Sequence, residues 1–136
     1  MTLKARFKAL AWQLRVAVWV IFAEGLATAA VAVFFIAGLV LDAKLLGAMI
    51  ALCVMLVGTA TFIFFVARQL IFKKRWARSA GFFWQLIQIA IAWNSFTGDP
   101  IGYIFGVWLI ATSLISIYFL FTKVVIEETR EQIDRD

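Results

Sequence analysis

Glu24 lies in the stretch VIFAEGLATAA, residues 20–30, and is the one acidic side chain well inside a long apolar run. A charged group at the centre of a membrane helix costs about 2.5–3.5 kcal/mol on insertion scales. Such groups are as a rule functional or paired. No arginine or lysine matches its depth, and Arg15, nine residues away, falls on the opposite side of a helix. A neutral Glu24, hydrogen-bonded to an amide, is therefore expected. That state suits a proton carrier and a structural pin equally well.

Other chemistry is scarce. The chain of 136 residues has no histidine and a single cysteine, Cys53, placed in the middle of an apolar run. Serine triads with histidine, thiolate–imidazole pairs and histidine zinc sites are excluded, as is an internal disulfide. There is no glycine-rich phosphate loop. Asp99 is too far from Glu24 in depth to form a carboxylate pair. The expectation is a non-enzymatic protein without metal or cofactor.

The elements that must position Glu24 follow from composition. Hydrophobic residues make up 65% and charged residues 15% of the chain, against about 45–50% and about 25% in soluble domains. Four apolar runs of transmembrane length are visible at Val16–Leu41, Leu45–Ala67, Ala80–Phe96 and Gly102–Thr122. They predict an all-α, polytopic membrane protein of four antiparallel helices forming a single domain, with a tail over 123–136. The first run is too long for a cleaved signal peptide.

Counted along each run, Glu24 and Gln88 both fall roughly 12 Å from the inner end, and Thr59 and Ser113 at roughly 12–14 Å. Gln85 shares a helix face with Gln88, and amides on that face must look inward. An intramembrane polar layer of Glu24, Gln88, Thr59, Ser113 and Gln85 is expected, with Gln88 the best-placed donor. Small residues form two further stripes. Gly47, Ala51 and Gly58 share one face of the second run, and Gly102 and Gly106 one face of the fourth, in a GxxxG that lets helix backbones approach closely.

Basic residues are unevenly spread. Lys4, Arg6, Lys8 and Arg15 precede the first run, and Arg68, Lys73, Lys74, Arg75 and Arg78 separate the second from the third. The other two connections offer only Asp42, Lys44 and Asp99. Positive charge stays cytoplasmic, which predicts that both termini lie inside. Trp12, Trp19, Trp76 and Trp84 then fall near the inner interface, and Trp93 and Trp108 near the outer one, as interface anchors.

The N-terminal segment MTLKARFKALAWQLRV places Leu3, Phe7, Leu10 and Leu14 on one face and Lys4, Lys8 and Arg15 on another. It reads either as an amphipathic helix on anionic lipid or as a topology signal. The tail KVVIEETREQIDRD follows the fourth run without Gly or Pro and can continue as helix. It can pair with the basic loop, dock on a partner, or remain a solvated helix end. WQL occurs at Trp12–Leu14 and again at Trp84–Leu86, as a two-plus-two parallel repeat would give, but at different depths relative to the two runs.

Two resemblances attach to these residues. IFAEGLATA in the first of four short spans is similar to the small multidrug resistance transporters, which implies a dimer sharing Glu24 as a proton and cation site. The stretch KKRWARSAGFFWQLIQIAIAWNSF, Lys73 to Phe96, resembles a group of small actinobacterial membrane proteins of four helices. It shares their basic W-A-R-S cluster ahead of the third helix. This second resemblance implies location in a bacterial plasma membrane and, as a function, an accessory or assembly subunit of a larger membrane complex, such as a respiratory or ATP-synthase assembly. The partners it implies are lipid, including anionic lipid, and other membrane subunits or further copies of the chain. The alternative is a small oligomeric proton-coupled transporter or channel using Glu24.

Overall fold

The computed structural model describes residues 2–41 and 46–131. Six helices are present: α1 (Leu3–Lys8), α2 (Trp12–Leu41), α3 (Leu46–Ile71), α4 (Arg75–Ser95), α5 (Pro100–Leu120) and α6 (Lys123–Glu131). No strand occurs among the described residues. In an apolar solvent only a helix satisfies each backbone N–H and C=O within one segment, and long runs of Leu, Ala, Val and Phe have no other stable choice there.

Local signals set the ends. Thr2 opens α1, its hydroxyl accepting from the Ala5 N–H at 3.3 Å. Asp99 caps α5 by accepting from the Gly102 N–H at 3.1 Å, and Pro100 occupies the first turn, where its missing N–H costs nothing. α3 closes with paired bonds from Lys73 N to Leu70 O and from Lys74 N to Gln69 O, at 2.9 and 3.2 Å. This is a Schellman closure, and it puts Lys73 in the left-handed region, at φ 57°.

Three of these helices, α2, α3 and α5, are long and apolar enough to cross a membrane. The chain is thus an all-helical, multi-pass membrane protein. The third expected run differs. α4 spans 21 residues, but Arg75, Arg78, Gln85, Gln88 and Asn94 lower its hydropathy, so it is not among the three. Its start also lies at Arg75, five residues before the apolar edge at Ala80. The tail does not continue α5. The helix breaks at Phe121 and Thr122, and α6 begins at Lys123. The expected N-terminal helix is likewise interrupted over Ala9–Ala11. Asp42, Lys44, Leu45 and the part of the tail beyond 131 lie outside the described residues.

α2 packs against α3 and α5, and α4 packs against the same two, so α2 and α4 face each other across the middle. The apolar core sits toward the end that carries α1 and α6, with Leu14, Ile21, Ile63, Val66, Leu70, Leu120 and Val125 almost wholly buried. At Gly81 a side chain would meet Ile21 and Leu120 at 3.4 Å, which marks how closely α4 approaches both neighbours.

Candidate functional site: a buried carboxyl and its polar layer

Glu24 is 3% exposed and projects from α2 toward α4. Its Oε2 accepts two hydrogen bonds, from Gln85 Nε2 at 3.0 Å and Trp84 Nε1 at 3.2 Å. Consecutive residues of α4 therefore grip one carboxyl oxygen. Gln85 is fully buried. This contact adds a polar tie between α2 and α4, whose apolar approach is at Ile21 and Gly81.

The remaining polar residues arrange themselves around that grip. Gln88, one turn further along α4, accepts from the Ser113 hydroxyl at 3.0 Å and so ties α4 to α5. Ser116, one turn from Ser113, is also fully buried. Thr59 is half-buried on α3 and lines an open apolar groove of about 360 Å³ with Phe83, Trp84 and Ile87. The structure thus brings together Glu24, Gln85, Gln88 and Ser113, and leaves Thr59 to one side of the layer. Gln88, the donor expected from depth, is also a hydrogen-bond partner of Glu24 while its carbonyl oxygen accepts from Ser113, and the closest donors to Glu24 Oε2 are Gln85 and Trp84.

Trp84 is the residue that sequence reasoning misplaced. Assigned to an interface belt, it is 9% exposed, whereas Trp12, Trp19 and Trp93 are 59%, 60% and 76% exposed. The signal was present in the spacing. Residues 77, 81, 84, 85, 88 and 92 are the buried positions of α4, and Trp84 stands on that stripe at helical period.

The two small-residue stripes have different fates. On α5, a side chain at Gly106 would come within 3.0 Å of Ala92 O and of the Phe96 ring, and one at Gly102 within 2.9 Å of Ser95 O. That face is filled by α4. On α3, Gly47, Ala51 and Gly58 are exposed, and a side chain added at Gly47 or Gly58 would meet nothing within 4 Å. That face has no partner within the described chain.

The basic residues gather at the end where α6 docks. Glu128 Oε1 accepts from the Ala11 N–H, at the open start of α2, at 3.2 Å, and its Oε2 lies 3.7 Å from Lys73 Nζ. A carboxylate at a helix N-terminus is favoured by the free N–H groups and the helix dipole. Thr129 is fully buried and accepts from Arg78 Nη1 at 3.2 Å. Arg6 and Arg68 approach the same ring, Phe72, at 4.9 and 5.3 Å. Arg15 bonds back to Leu10 O at 3.1 Å. Lys4, Lys8 and Arg75 are exposed, and Lys74 stands at the cap of α4.

Fold and site together define a class: an all-helical, multi-pass membrane protein built around one buried carboxyl and a charged end. Compared with known proteins, the chain matches no family model, no curated protein and no solved structure.

Proposed function

We propose that the protein is a non-enzymatic integral membrane accessory or assembly subunit that works by helix contacts with a neighbouring subunit. The observation that carries this reading is the outward stripe of Gly47, Ala51 and Gly58. Small residues at this spacing let a second helix approach closely in lipid. The equivalent stripe on α5 is used within the chain, while that of α3 is open. Glu24, meanwhile, is committed to the chain's own interior, where it holds α4 against α2. Respiratory and ATP-synthase assemblies are the class of complex that the resemblance over Lys73–Phe96 points to.

In this reading α4 crosses the membrane with the other three long helices. Its 21 residues give roughly 31 Å of rise, close to the about 30 Å of a hydrocarbon core. Its amides face inward and its arginines sit at one end. Four antiparallel spans then place both termini on one side. The convergence of α1, the α3–α4 turn and α6 supports that arrangement, and their positive charge favours the cytoplasmic face of a bacterial plasma membrane. Anionic lipid headgroups would contact Lys4, Lys8 and Arg75 there.

A second reading, an oligomeric proton-coupled transporter or channel, is favoured by one feature: Glu24 Oε1 is buried and accepts no hydrogen bond among the described residues. The test is extraction in a mild detergent followed by native mass spectrometry. A stoichiometric larger complex, lost when Gly47 and Gly58 are both changed to Leu, is the expected result. A bare homo-oligomer whose proton-dependent flux disappears with Glu24→Gln would replace the accessory reading with the second one.

A further inference from the structure

α2 opens without a cap of its own. Residues 9–11 are Ala, Leu and Ala, and these side chains offer no acceptor to the free N–H groups of a first turn. The acceptor comes from α6, 117 residues further on, where Glu128 Oε1 takes the Ala11 N–H at 3.2 Å. Beside it, Thr129 Oγ1 accepts from Arg78 Nη1 at 3.2 Å, and Lys73 Nζ stands 3.7 Å from Glu128 Oε2. Val125, one turn before Thr129, is fully buried. Groups from the start of α2, the α3–α4 turn and α4 thus converge on one face of a nine-residue helix.

That end of the bundle carries one sign of charge. Outside α6, every charged side chain of α1, of the first turn of α2 and of the stretch from Arg68 to Arg78 is Lys or Arg. α6 brings the acids, Glu127 and Glu128. Complementarity requires that whatever sits there be acidic.

α6 fits the site loosely. It is joined to α5 through the break at Phe121 and Thr122. Val125 and Thr129 are its fully buried side chains, whereas Val124, Glu127 and Arg130 are exposed. Glu128 Oε2 is buried yet accepts no hydrogen bond among the described residues. An ion pair at 3.7 Å between partly exposed side chains is weak. A helix that set its carboxylate closer to Lys73 would match the site better.

We propose that the bundle end formed by the Ala11 N–H, Lys73 and Arg78 is a docking site for an acidic amphipathic helix of a partner subunit, and that α6 occupies it as an internal stand-in. The seated segment gives the chemistry of that partner: an aliphatic residue, glutamate three positions on, then a hydroxyl residue. The short link keeps α6 at an effective concentration on the order of millimolar. A free acidic helix of modest affinity is therefore kept out, and one held alongside by a neighbouring subunit is admitted. The proposal rests on the accessory reading for the existence of a partner, but it uses a surface apart from Gly47 and Gly58. The two can fail separately, because changing those glycines to Leu leaves this end untouched.

The probe is a labelled peptide of residues 122–131, TKVVIEETRE, held helical by a lactam between Lys123 and Glu127 on its exposed face. It is titrated by fluorescence anisotropy into the full chain in uncharged micelles. Glu128→Lys in the chain expels its own α6 and leaves the bundle groups in place, and faster proteolysis of α6 reports the release. The peptide is expected to bind this variant about tenfold or more tightly than the wild-type chain, whose site is already filled. Glu128→Gln in the peptide, or Arg78→Ala added to the chain, should each weaken binding about tenfold or more with the chain's helix content intact. Equal binding to variant and wild type, equal binding of the two peptides, or an α6 that stays protected in Glu128→Lys would overturn the proposal. Phosphatidylglycerol that displaces α6 from the wild-type chain and blocks the peptide would overturn it too, and give the site to lipid headgroups.

Discussion

Replacing Glu24 and Gln85 by leucine, singly and together, separates a specific tie from ordinary packing. Glu24→Leu strands two buried donors, Gln85 Nε2 and Trp84 Nε1. Gln85→Leu removes one of them and leaves Trp84 paired. In the double variant only the Trp84 N–H is stranded. The two single costs therefore count the Glu24–Gln85 bond twice, and the double variant should be less destabilised than their sum. Hydrogen bonds between membrane helices average about 0.6 kcal/mol, with a maximum of about 1.7. The coupling should fall in that interval, roughly 3- to 20-fold in the unfolding equilibrium. Reversible unfolding in mixed micelles, followed by helix content, measures all four corners of the cycle. Asn94→Ala, exposed near the far end of α4, supplies a distant partner whose effect with Glu24→Leu should be additive. Additivity within about 0.3–0.5 kcal/mol for the Glu24–Gln85 pair would refute the tie.

Other outcomes follow from the same geometry. Gly106→Leu should destabilise by about 1–3 kcal/mol through overpacking, because a β-carbon there already lies 3.0 Å from Ala92 O; Gly47→Ala and Gly58→Ala should leave the isolated chain at least as stable, as read by the same unfolding assay. Glu128→Ala removes the acceptor for the Ala11 N–H and the Lys73 ion pair, so it should cost about 0.5–2 kcal/mol and speed proteolysis of α6. Lys73→Gly relieves a left-handed residue, worth about 1–2 kcal/mol, against an ion pair worth about 0–1, so the melting temperature should hold or rise. A fall of several degrees would mean that the pair with Glu128 is stronger than its exposure implies.

Much of the site was legible because membrane sequences leave polar residues few places to go. Glu24 stands out against its apolar run, and the period of α4 identifies Gln85 and Gln88 as one face. What could not be read was which amide meets the carboxyl. Depth had to be counted from the apolar edge at Ala80, whereas α4 begins at Arg75. α2 likewise begins at Trp12 and not at Val16, so the two offsets nearly cancel, and depth leaves Gln85 and Gln88 about equally level with Glu24. Trp84 escaped notice because an indole is at home both at an interface and as a buried donor. The two glycine stripes have the same spacing, and only the helix neighbours reveal that Gly102 and Gly106 meet α4 while Gly47 and Gly58 face outward. The tail lacks Gly and Pro, yet it breaks at Phe121 because Leu120 and Val125 both bury in the core. The chain must turn to bring α6 over the end of the helices.

The indole N–H of Trp84 reports most directly on the carboxyl that holds α2 to α4. In a ¹H–¹⁵N spectrum of the intact chain in micelles, its resonance should be shifted downfield and exchange more slowly than that of exposed Trp93. Glu24→Leu should move it upfield while the other five indole signals stay in place. A Trp84 signal that exchanges like Trp93 and ignores the loss of Glu24 would contradict the account.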